Sequence, residues 1–272
     1  MAVVVPARDE SRFIAETLRT IPTWVDHIVV VDDGSRDATS QLAASQGRAV
    51  EVVRHASARG VGAAIVAGYR RALELGADVV AVMAGDGQMD PNDLEAVVAP
   101  LVDGFADYAK GNRFDHPEWD RMPTPRFIAG RVLSALTGLA VGLPGLRDSQ
   151  SGFTAITRDA LRAIDLDRLW PSYGYPNDLL GLLCREGQRC VDVVIRPVYR
   201  GEASGLRPWH LATISFLIGR AYARRVASER NLKGGRDETR IDPSPRRERP
   251  LPRASGTRPS PDPDRISPPP SP

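Results

Sequence analysis

Over its first hundred residues the chain repeats one unit: a short β-branched run, a turn, then a longer stretch with apolar side chains at helical spacing. The runs are Val3 to Val5, His27 to Val31, Val50 to Val53 and Asp78 to Met83, and Ser11 to Thr20, Asp37 to Gln46 and Gly60 to Leu75 read as helices between them. Such runs lack polar alternation and suit strands buried on both faces. Strand and helix in alternation predict a mostly parallel central sheet, with right-handed crossovers that lay helices on both faces. Asp37 stands where the second helix needs an N-cap, and Pro91 stands in the first turn of a fourth helix. A second half follows, with strands near Asp107 to Gly111, Gly152 to Thr157 and Arg189 to Ile195, and a helix near Asp178 to Glu186.

Composition narrows the partners. With 272 residues, 42% of them apolar, the chain can bury one sizeable core. A formal net charge of +2 calls for no nucleic acid. Cys184 and Cys190 have no zinc-ligand partners at the usual spacing and are too few for a disulfide framework, so both are expected to be reduced thiols. Met1 to Pro6 run straight into apolar sequence without a basic n-region, so no secretory leader is expected, and the protein is expected in the cytoplasm. No stretch reaches the roughly 18 to 20 uninterrupted apolar residues that span a bilayer.

Ligands of a sheet like this bind beyond the carboxyl ends of its strands, so the loops after Val5, Val31, Val53 and Met83 are predicted to share one rim. Those loops carry Arg8, Asp9 and Glu10, then Asp32 and Asp33, then Arg54 to Arg59, then Asp86, Gln88 and Asp90. Asp32 and Asp33 put two like charges side by side, which costs energy unless something binds them. A nucleoside supplies the donors, as ribose hydroxyls and the ring N–H of uracil or guanine; a βα turn with an Asx cap is the other reading. Asp86, Gln88 and Asp90 lie on a glycine-relaxed loop, where hard oxygen ligands suit Mg²⁺ or Mn²⁺ bound together with a diphosphate. Asp90-Pro91 also reads as a plain helix entry.

The segments Asp32-Asp33-Gly34-Ser35 and Gly85-Asp86-Gly87-Gln88-Met89-Asp90-Pro91 together resemble the family 2 glycosyltransferases of GT-A fold, and within them the dolichol-phosphate mannosyltransferase-like branch. The similarity runs from Val3 to about Pro208. It implies a Rossmann-like GT-A domain that moves a sugar, with inversion, from a UDP- or GDP-sugar to a polyprenyl phosphate. Transfer to a soluble or polysaccharide hydroxyl, or nucleotide-sugar binding without catalysis, are the alternatives. By the same resemblance Pro6, Arg8 and Glu10 belong to the family's Pro-x-x-Asn-Glu strand end, here with Asp9 for Asn. Arg59 and Gly60 meet the diphosphate, and Asp86 and Gln88 hold the metal. The family's Asp-x-Asp element reads Ala84-Gly85-Asp86, so its first carboxylate is missing. Arg113, in Lys110-Gly111-Asn112-Arg113, is implied to face the phosphates, with Arg126 and Arg131 on the acceptor-side segment after it. Asp148 is implied as a sugar or acceptor contact, and Asp178 as the general base for a hydroxyl nucleophile. A nucleotidyltransferase is disfavoured, because Pro6 to Glu10 is not a Gly-rich basic loop.

These readings divide the chain into a catalytic domain over 1–205, an amphipathic basic helix over 206–230 and a disordered Pro/Arg-rich tail over 231–272. From Trp209 to Arg230 apolar residues recur at helical spacing before a cluster of arginines. An in-plane interfacial helix on the inner face of the plasma membrane, or a helix packed on its own domain, accounts for that pattern.

Overall fold

A computed structural model describes residues 1–47, 50–198 and 208–237. Its first compact unit, Met1–Leu232, is built on a seven-stranded sheet. The strands are β1 (Ala2–Ala7), β2 (His27–Asp32), β3 (Val50–Arg54), β4 (Val79–Val82), β5 (Tyr108–Asn112), β6 (Thr154–Thr157) and β7 (Cys190–Val194). They lie side by side in the order β3-β2-β1-β4-β6-β5-β7. β1 pairs in parallel with β2 and β4, β2 with β3, and β5 with β7. Only β6 runs backwards, antiparallel to both β4 and β5.

Successive strand residues point to opposite faces, so β1 feeds two cores. Val4 packs with Val29, Val31, Ile65, Tyr69 and Val80 on one face, and Val3 and Val5 pack with Ile14, Leu18, Val30 and Leu94 on the other. All of these are essentially removed from water. Full burial of each such aliphatic side chain contributes about 1.5–3 kcal/mol, which is why the β-branched runs form the sheet's centre. The first face is covered by α3 (Val61–Glu74) and α7 (Tyr175–Arg185), the second by α1 (Ile14–Thr20) and α4 (Leu94–Val102). α3 lies close on β1 because Gly68 meets Val4; a Cβ there would come within 2.2 Å of the valine Cγ1.

The remaining elements refine the expected boundaries. Pro91 opens a 3-10 turn, Pro91–Asp93, which leads into α4, and Asp90 caps it by accepting from the Asn92 amide. Asp37 precedes α2 (Thr39–Ala44) and accepts from the Thr39 amide and hydroxyl on one oxygen and the Ser11 amide on the other. Burial works against its charge, yet those bonds hold the carboxyl far below its ordinary range. α5 (Thr124–Val141) and α6 (Arg158–Ala163) complete the second half.

The last helix, α8, spans Pro208–Asp237. It buries Ile214, Leu217 and Ala221 against its own domain, with Leu217 and Ile214 over Gly174 and Ala221 against Gly181. Leu211, Phe216 and Tyr222 face outward. The helix therefore packs on the domain along one side, and runs seven residues past the Arg230 boundary. Residues 238–272, which carry the rest of the tail, lie outside those described. No helix among the described residues is long and apolar enough to cross a membrane.

Candidate active site

The loops leaving β1, β2, β3 and β4 meet at one rim, as doubly wound sheets require. There they enclose a cleft of two adjoining volumes, about 350 Å³ at the back and 330 Å³ at the front. Pro6, Val61, Ala84, Asp86 and Tyr173 belong to both, so a ligand can pass from one to the other.

The back volume holds the residues expected to grip a donor. Pro6, Arg8, Glu10, Asp33, Gly60 and Asp86 all line it. Asp33 is buried, and its oxygens accept from the Arg59 and Gly60 amides at 2.8 Å each and pair with His55 Nδ1 at 2.7 Å. Burial raises this carboxyl, but the His55 contact and the two amides outweigh it, so its pKa falls below the ordinary range and it remains an anion. The Arg59 side chain itself is exposed, and Arg59 contributes its amide. Gly60 has φ 102°, and a Cβ there would lie 2.5 Å from the Pro171 carbonyl, so this corner admits glycine only. Asp32 lines neither volume. It is fully buried under Ser35, Ser40 and Arg54, and so braces the βα turn.

Asp86 and Gln88 both line the front volume, and the Gln88 amide donates to Asp86 Oδ1 at 2.9 Å. Ala84 lines it too and offers no ligand. Among the described residues no three His, Cys, Asp or Glu side chains converge as a metal cluster. One carboxylate and one amide oxygen are hard donors, and they fit Mg²⁺ or Mn²⁺ when diphosphate and water oxygens complete the shell. Asp86 and Gln88 would hold such an ion, whose chemistry is to neutralise charge on a leaving diphosphate.

The front volume also carries two cations. Arg113 and Arg196 line it with Gln150, Tyr173 and Tyr175, and Asp86 is the one carboxylate among the described residues that do so. Arg113 is held by Asp148 through two bonds, from Nε at 2.7 Å and Nη2 at 3.1 Å. Asp148, expected as a sugar or acceptor contact, is fully buried, lines neither volume and orients Arg113. Arg126, at the start of α5, lines neither volume, though its charge and that of Arg113 act on the Tyr173 phenol. Arg131 lies 3.6 Å from Asp115.

Asp178 stands apart from the cleft. It accepts from the Trp170 amide at 2.8 Å and pairs with Arg220 of α8 at 2.6 Å, with Arg224 at 3.5 Å. It is buried and lines neither volume. Asp178, expected as the general base, here ties α7 to α8. Conversely, sequence reasoning gave no role to His55, Gln150, Tyr173 or Arg196. Gln150 lies two residues from Asp148 and Tyr173 five from Asp178, whereas His55 and Arg196 carried no local signal. Arg196 donates to Glu118 through Nε at 3.0 Å and Nη2 at 2.9 Å, which ties the segment after β7 to the loop after β5.

Comparison with known proteins shows the family and the fold. Residues 2–165 match the Glycosyl transferase family 2 model, which is well over half of the chain. The chain belongs to that family. An undecaprenyl-phosphate mannosyltransferase of Micrococcus luteus is 34% identical over 208 residues, covering 72% of this chain and 83% of that one. A UDP-N-acetylglucosamine–dolichyl-phosphate N-acetylglucosaminyltransferase of Methanococcus voltae is 27% identical over 214 residues, covering 72% and 85%. Among solved structures, glucosyl-3-phosphoglycerate synthase from Mycobacterium tuberculosis, crystallised with Mn²⁺, UDP and phosphoglyceric acid, superposes with TM-score 0.62 at 22% identity over 82% of this chain and 77% of that one. The fold is therefore that of the GT-A glycosyltransferases, and the chain is an enzyme of family 2.

Proposed function

We propose that this enzyme moves a sugar from a UDP- or GDP-sugar to a polyprenyl phosphate, with inversion at the anomeric carbon. The observation that carries this reading is the lining of the front volume: Arg113, held by Asp148, and Arg196, tied to Glu118, turn their guanidinium groups to it, and Asp86 is the one carboxylate among the described lining residues. A hydroxyl nucleophile needs a base there; a phosphate is already an anion and needs only cations to place it. In the reaction a phosphate oxygen of the acceptor bonds to the sugar C1 as the bond from C1 to the nucleoside diphosphate breaks, and the diphosphate leaves with the electron pair. No proton has to move. Asp33, held in place by the Arg59 and Gly60 amides, takes the donor half, and Asp86 with Gln88 takes the diphosphate end.

A second feature supports a lipid acceptor. α5 exposes Ile128, Val132, Leu136 and Leu139, spaced to form one apolar stripe along the helix. The names of the M. luteus and M. voltae relatives carry a polyprenyl-type phosphate acceptor but different sugars, so they favour the acceptor class and leave the donor open. The test is incubation of the full chain with undecaprenyl phosphate, Mn²⁺ and a panel of radiolabelled UDP- and GDP-sugars. Labelled lipid with release of nucleoside diphosphate is expected, and NMR of the product anomer checks inversion. Label transferred to a hydroxyl acceptor alone, or to no acceptor, overturns the reading.

A further inference from the structure

Lys110 is the largest charged side chain buried in the sheet, at 1% exposure. Lysine is almost never buried to that degree unless it is paired. Its ammonium donates to the Ser151 carbonyl, on the segment that also carries Asp148. In register it stands beside Asp192 of β7, on the face of the sheet shared with Tyr108 and Cys190. Asp148, Asp192 and Arg113 all act on it electrostatically. Asp192 in turn accepts from the Arg147 amide at 2.6 Å, and Asp115 lies between Arg131 at 3.6 Å and Arg147 at 3.7 Å.

The charges at this corner can be counted. Arg113, Lys110, Arg131 and Arg147 are four cations; Asp148, Asp192 and Asp115 are three carboxylates. Without Lys110 the net charge of the corner falls by one. A buried carboxylate that grips an arginine fixes its direction but cancels its charge, so Arg113 with Asp148 alone would meet an anion as a neutral pair. We propose that Lys110 is a positioning residue for the acceptor: it offsets Asp148 from behind, so Arg113 is held rigidly and still presents a positive charge to the acceptor phosphate. This rests on the reading of the front volume as the acceptor phosphate site.

Burial pushes the Lys110 ammonium down to about 8, against the opposing pull of Asp148 and Asp192. The charge is thus present at neutral pH and withdrawn in mild alkali, while a phosphate monoester keeps both of its charges.

The experiment measures kcat and KM for undecaprenyl phosphate and for the sugar donor, from pH 6.5 to 9.5, in the wild type, Lys110→Met and Lys110→Arg. At pH 7 Lys110→Met is expected to raise the acceptor KM roughly 10-fold, with donor KM and kcat within about threefold. In the wild type the acceptor KM should climb through pH 8; in Lys110→Arg, whose charge does not titrate, it should stay level. An acceptor KM unmoved in Lys110→Met, or a level wild-type profile, overturns the inference. Should Lys110→Met fail to fold, the wild-type and Lys110→Arg profiles decide. Wild-type turnover is the control: without lipid product the acceptor reading fails and takes this inference with it, whereas turnover with an unshifted acceptor KM sinks the Lys110 inference alone.

Discussion

Arg113 and Asp148 form a two-pronged pair across 35 residues of chain, with the carboxylate fully buried and the guanidinium at the cleft wall. Burial raises the Asp148 carboxyl, and the charge and hydrogen bonds of Arg113 more than reverse it. Asp148→Asn keeps the shape and removes the charge. Leaving Arg113 without its counter-ion is expected to cost about 3 kcal/mol of stability and to lower transfer roughly 10- to 100-fold through misplacement. Chemical denaturation and steady-state rates check both numbers; a variant of normal rate shows that Arg113 needs no such support.

Asp178→Asn separates anchor from base. The pair with Arg220 is buried, so the variant should lose about 3 kcal/mol and loosen α8, while kcat at a temperature well below the melting point stays within about threefold. Melting curves and rates measured side by side make the test. A loss beyond about 100-fold in a variant that melts like the wild type would restore Asp178 as the catalytic base.

Ala84 lines both volumes next to Asp86, where a second carboxylate would face the same ion. Ala84→Asp is therefore expected to lower the Mn²⁺ concentration for half-maximal activity by roughly 10-fold, because an added anionic ligand tightens a hard-cation site. Titration of chelator-treated enzyme with Mn²⁺ reads the effect. An unchanged or higher requirement places the ion elsewhere.

Acid should unfold this protein from its ligand rim. Asp33, Asp37 and Asp148 all have carboxyls held below their ordinary values. A group depressed in the folded state contributes stability above its unfolded pKa and loses it as the pH falls through the folded value. Thermal stability should be level between about pH 5 and 7 and drop below about pH 4. Asp33→Asn should flatten part of that drop, and a drop of full size in this variant would remove Asp33 from the account.

Lys110 gives the opposite sign in alkali. Its folded pKa of about 8 lies below that of an unfolded lysine, so above pH 8 the unfolded chain binds more protons and stability rises with pH. Wild-type stability should gain between pH 8 and 10 relative to Lys110→Met, over the same interval in which acceptor affinity falls. General alkaline loosening would lower both, so urea melts across this range tell the two apart.

Much of the fold is written locally. Val3 to Val5 and Val29 to Val31 declare buried strands by their own side chains, and Asp33, Glu10 and Asp86 reach the cleft simply because they follow strand ends. What local sequence cannot carry is the partner. Asp178 opens a helix, and only the packing of Arg220 from α8 shows which way it faces. Asp148 reads as a pocket residue until Arg113 is seen to hold it, and Arg196 acquires meaning from Glu118, 78 residues away. Lys110 sat inside a quoted motif, yet its burial depends on the Ser151 carbonyl 41 residues on. The reversed direction of β6 is likewise a matter of pairing, which an apolar run leaves open.

That reversal has an outcome for how such a catalyst diversifies. Because β6 runs against its neighbours, Gln150 to Phe153 reach the rim on the way into a strand, whereas the groups around Asp33 and Asp86 leave strands that all point one way. Lengthening or shortening the loop ahead of β6 would reshape one wall and leave the other untouched.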